Sequence, residues 1–67
     1  MHKLVLNDDR GRQYIVQDPE RFFNHLINFH TKNQLPDNSI HEEKGFYFTV
    51  TSELFIFVQD FVLNMKK

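Results

Sequence analysis

Apolar and polar residues alternate from the start of the chain. Leu4 and Leu6 stand among Lys3, Val5 and Asn7 in the two-residue rhythm of a half-buried strand. Asn7-Asp8-Asp9-Arg10-Gly11 interrupts that rhythm with turn-forming residues, and Gly11 can take a positive φ without steric cost. Gln13-Tyr14-Ile15-Val16-Gln17 resumes an extended pattern with β-branched and aromatic side chains. A β-hairpin is therefore expected from His2 to Val16.

The period changes at Asp18-Pro19-Glu20. Asp18 can accept from the unpaired amides of a helix start, Pro19 suits the first helical position, and Glu20 favours the positive end of the helix dipole. At ~100° per residue, Phe22, Phe23, Leu26, Ile27 and Phe29 share one face, while Glu20, Arg21, Asn24, Asn28 and Lys32 share the other. The pattern predicts a helix as far as about Lys32. Asn33 can end it in a left-handed conformation, Pro36 prevents its resumption, and Leu35 to Ser39 is expected to be a loop.

Ile40-His41-Glu42-Glu43 and Phe46-Tyr47-Phe48-Thr49-Val50 then flank Lys44-Gly45 as a second predicted hairpin. Phe46, Phe48 and Val50 point to one side of it, Tyr47 and Thr49 to the other. Thr51 or Ser52 can cap a second helix, with Glu53 in its first turn, that runs to about Met65. Lys66 and Lys67 complement its negative end. The expected fold is α+β in the order ββαββα: a single domain over residues 1–67, with an antiparallel sheet of about four strands and both helices packed on one of its faces. The two halves resemble each other as packing solutions more than as sequences, because their apolar helix positions fall at different offsets.

Composition narrows the functions open to this fold. The chain has 67 residues, no cysteine, eight phenylalanines and a formal net charge of −1. It cannot carry a disulfide framework or a thiolate metal site. The near-balanced charge argues against a dedicated duplex-DNA binder. The longest apolar run, Leu54–Val58, is far short of the ~20 residues that span a bilayer, and no secretory signal pattern is visible, so a cytoplasmic protein without membrane contact is expected. The Asn-, Ile-, Phe- and Lys-rich usage fits an AT-rich coding genome such as that of a low-GC bacterium or its phage. A core below ~70–80 residues seldom supplies more than ~3–5 kcal/mol, and chains of this size often add a disulfide, a metal or a second subunit.

Catalytic chemistry finds little foothold. His2, His25, His30 and His41 show no HxH or HxxxH spacing, and a continuous helix would set His25 and His30 roughly 140° apart. His30 is expected at the helix end, bonded to the last carbonyls or covering the edge of the core, and His41 beside Glu42 and Glu43 in a solvated hairpin. Asp8-Asp9 and Glu42-Glu43 flank turns, where acids are normally hydrated, and the ligand ladder of a calcium loop is missing. No serine lies in a nucleophile elbow, and Gly11 and Gly45 stand alone rather than in a phosphate-cradling loop. No catalytic residue, metal site or cofactor is predicted, and the chain reads as non-enzymatic.

The second helix carries the functional expectation. Leu54, Phe55, Phe57, Val58, Phe61, Val62 and Met65 fill an apolar arc of roughly 160°, and Ile56 and Leu63 lie outside it as a second, nearly eclipsed stripe. One helix cannot bury both against a single thin sheet. The reading is a protein-interaction module of regulatory, adaptor or inhibitor type, with Phe55, Ile56, Gln59 and Leu63 meeting a second copy in a homodimer or a heterologous protein. The alternative is a single-stranded nucleic-acid binder that stacks bases on Tyr14 and Tyr47 and holds phosphates with Lys3 and Arg12. Nucleic acid is the less favoured partner, because neither half of the chain is a basic platform.

Overall fold

The computed structural model describes residues 3–65. The expected roles of His2, Lys66 and Lys67 lie outside them. The fold is α+β, with strands β1 (Leu4–Asn7) and β2 (Gln13–Val16), helix α1 (Pro19–Phe29), strands β3 (Thr31–Lys32), β4 (Leu35–Pro36), β5 (Ile40–Glu43) and β6 (Phe46–Thr49), and helix α2 (Ser52–Met65).

The four expected strands form, but as separate antiparallel hairpins, β1–β2 and β5–β6, rather than as one sheet. The third pair, β3–β4, was not anticipated. Helix α1 stops at Phe29 instead of reaching Lys32, because His30 leaves the helical region at φ −130°. Asn33 does take the left-handed conformation, at φ 53°, and Gln34 follows at φ 67°. Two successive residues with positive φ make the tight reversal that lets Thr31 and Lys32 pair back onto Pro36 and Leu35.

Local chemistry sets the other boundaries. Asp18 Oδ1 accepts from the Arg21 amide at 3.1 Å, and Pro19 opens α1. Thr51 Oγ1 accepts from the Leu54 amide at 3.1 Å and caps α2. Lys44 and Gly45, at φ 52° and 85°, form the two-residue turn of β5–β6.

The core draws Leu4 and Leu6 from β1, Tyr14 and Val16 from β2, Phe22 and Leu26 from α1, Phe48 from β6, Val50 after it, and Val58 and Val62 from α2. The helices also pack on each other, with the Phe23 and Phe55 rings 5.3 Å apart between centroids. Both apolar arcs are narrower than the sequence pattern implies. Phe29 is 67% exposed and Phe57 55% exposed, because the small hairpins cover only the central stripe of each helix.

The turn acids are corrected as well. Period-2 alternation continues past Leu4 and Leu6 to Asp8, so the Asp8 side chain points inward and is buried. It accepts from the backbone amides of Arg10 and Arg12 at 3.1 and 2.8 Å, and from the Arg12 guanidinium at 3.0 and 2.7 Å. Burial on its own would raise the Asp8 carboxyl, but these bonds outweigh it and hold the group below its ordinary value.

Candidate functional site

Ile56 and Leu63 lie on the outer flank of α2, 53% and 55% exposed. Phe55 and Gln59, both half-buried, border them. The Phe55–Phe23 ring contact carries this apolar surface across to α1. Two shallow grooves meet there. One is lined by Leu35, Pro36, Phe55, Ile56 and Gln59, and the other by Phe23, Ile27, Thr31, Phe55 and Gln59. Phe55, Ile56 and Gln59 thus belong to a strip that also takes in α1 and the β3–β4 turn, and Leu63, two turns on from Ile56, extends the same flank of α2.

The residues of the nucleic-acid alternative are dispersed. Tyr14 is buried, its ring centroid 4.9 Å from that of Phe46 and 5.8 Å from that of Phe48, so it presents no face to a base. Tyr47 is exposed on a different hairpin. Arg12 holds Asp8, donates to the Gly45 carbonyl at 2.8 Å, and lies 4.6 Å above the Phe46 ring. Lys3 is exposed at the start of the described chain.

The second assembly runs against the expectation of a solvated His41 and of His25 and His30 on different sides of one helix. His30 and His41 are both buried, and His25 stands beside them. One ring nitrogen from each of the three lies within 4.8 Å of the others. His25 and His30 come together because α1 ends before His30, so the roughly 140° that a continuous helix would set between them no longer applies. His41 faces inward through its register: the turn at Lys44-Gly45 pairs it with Phe48, and both side chains lie on the core face of β5–β6. Counting back from that turn in the sequence would have placed His41, and Glu43 opposite Phe46, on the inner side.

A run of close polar contacts passes through the cluster. Ser39 donates its hydroxyl proton to Asp37 Oδ1 at 2.5 Å, and Ser39 Oγ lies 2.6 Å from His30 Nδ1. His30 Nε2 is 3.3 Å from His41 Nδ1, and His41 Nε2 is 3.1 Å from Glu43 Oε1. Tyr14 closes the run by donating to Glu43 Oε2 at 2.5 Å. The Phe22 ring meets the His41 ring at 5.0 Å and 87°, edge to face, which seals the inner side.

Burial pushes His30 down from its ordinary value, and the His41 and His25 rings add to that effect. His25 is lowered in the same direction, first by desolvation and then by His41. Burial would raise Glu43, but the bonds from Tyr14 and His41 outweigh it, and Glu43 stays below its ordinary value as a carboxylate. Tyr14 moves the opposite way, pushed up to about 12 by burial and by its bond to Glu43.

Among the described residues no helix is long and apolar enough to cross a membrane. No protein family, curated protein or solved structure matches the chain.

Proposed function

We propose that this chain is a small non-enzymatic protein-interaction module that self-associates through α2. The observation that carries the reading is the exposure of Ile56 and Leu63, at 53% and 55%, on a strip that continues into neighbouring apolar residues. A fully buried aliphatic side chain contributes roughly 1.5–3 kcal/mol, so each of these half-exposed residues offers roughly half of that. Two per subunit, about 3–6 kcal/mol over both copies, reach only the low end of an association cost of about 4–15 kcal/mol. The contact therefore extends over Phe23, Ile27, Leu35 and Phe55, with Gln59 supplying a polar group among them.

A second copy is the occupant best matched to this strip. A row along one helix can meet its own image across a two-fold axis, so that each apolar patch covers the other. The formal net charge of −1 sets little repulsion between copies. The dimer is the form in which the chain would serve as a regulatory, adaptor or inhibitor subunit. Sedimentation of the unsubstituted chain and of Leu63→Glu tests this. A dimer is expected for the former and a folded monomer for the latter. A chain that stays monomeric at high micromolar concentration overturns the reading.

A further inference from the structure

We propose that His25, His30 and His41 bind one divalent transition-metal ion of the zinc class, tying the end of α1 to the β5–β6 hairpin. The argument begins with protons. Ser39 has one hydroxyl hydrogen, and it goes to Asp37 Oδ1, so Ser39 Oγ must accept from His30 Nδ1–H. The Glu43 carboxylate already accepts from Tyr14, and it can only accept from His41 Nε2–H. Both buried imidazoles thus have their tautomers set by outer partners. His30 Nε2 and His41 Nδ1 are left as lone pairs facing each other 3.3 Å apart.

Two facing lone pairs repel unless a cation lies between them. A proton would bridge only these two nitrogens, whereas the third nitrogen, on His25, also converges to within 4.8 Å. Zinc–imidazole bonds of about 2.0–2.1 Å in a tetrahedron place neighbouring nitrogens about 3.3–3.4 Å apart, which the His30–His41 pair already satisfies. His25 is exposed, and its ring centroid already lies 4.6 Å from that of His41, so a turn of the ring would close the remaining distance. The outer shell is the one metal-binding histidines use, with Glu43 behind His41 and Ser39–Asp37 behind His30. Asp18 and Glu43 offset the positive charge of Arg21, with which they line a cleft beside Phe22 and His25.

Three imidazoles favour zinc, copper, nickel or cobalt over magnesium or calcium, and leave a fourth position to water. The bound ion would link His25 and His30 of the α1 end to His41 of β5, a staple for a chain without cysteine.

The test uses the untagged full chain titrated with ZnCl2 by calorimetry, and with CoCl2 followed by the visible bands of tetrahedral cobalt. One ion per chain is expected, with a rise in thermal midpoint on addition of zinc. His25→Ala, at an exposed position, is expected to keep the circular dichroism of the unsubstituted chain and to weaken binding by at least about tenfold. Glu43→Gln is expected to weaken it by about 10–100-fold through the outer shell. Absence of saturable binding at high micromolar zinc, or binding undiminished in His25→Ala, overturns the proposal.

Discussion

Asp9 joins the two large hairpins by gripping Thr49 twice: Oδ1 accepts from the Thr49 amide at 2.9 Å and Oδ2 from the Thr49 hydroxyl at 2.7 Å. The Asp9 amide donates in turn to the Tyr47 carbonyl at 2.7 Å, so the β1–β2 turn is laced to β6. No sheet hydrogen bond connects these hairpins, and this link stands in for one.

Asp9→Ala removes both side-chain bonds and leaves only the backbone one. Hydrogen bonds to a charged group contribute about 1.5–3 kcal/mol each when well shielded, and these are solvent-exposed. A loss of about 1–2 kcal/mol is expected, read from urea denaturation. Asp9→Asn keeps one acceptor and is expected to lose less.

Asp8 makes the chain sensitive to acid. Its folded value lies below the ordinary 3.8, so its contribution is complete above pH 3.8 and is lost as pH falls through the lowered folded value. Thermal midpoints measured from neutral pH downward are expected to drop in that window. Asp8→Asn lowers stability at neutral pH and lessens the acid drop, with the remainder due to Asp37 and Glu43, which are also held below their ordinary values.

The centre and the edge of the α1 apolar arc are expected to behave differently. Leu26 is 0% exposed, and Leu26→Ala at such a site costs about 2–5 kcal/mol. That is comparable to what a core this small supplies, so the variant is expected to be largely unfolded by circular dichroism. Phe29 is 67% exposed, and Phe29→Ala is expected to stay within about 0.5 kcal/mol of the unsubstituted chain.

What could be read from the residues was whatever depends on near neighbours. The cap at Asp18, Pro19 at the first helical position, the turn at Lys44-Gly45 and the alternation of β1 and β6 are local, and the structure contains each of them. The β3–β4 pair escaped because it needs a positive φ at Gln34, a residue with no intrinsic bias toward it. The single four-stranded sheet failed because a side chain, Asp9, satisfies groups that a ladder would otherwise have paired. In β5 the apolar Ile40 is 60% exposed while its polar neighbour His41, expected in a solvated hairpin, is 4% exposed. The histidine cluster is assembled from a helix end, a loop and a strand, and no spacing in one dimension encodes that meeting.

Among the described residues each of the three ladders has two strands, so each strand turns one row of amides and carbonyls away from its partner, a row that Asp9 partly occupies on β6. Such rows invite lateral growth onto a foreign extended segment. Here brevity is the safeguard: among the described residues no strand exceeds four residues, and so short an edge offers a newcomer too few rungs to hold it. Lengthening any of these hairpins by design would exchange that protection for a surface on which fibrils can seed.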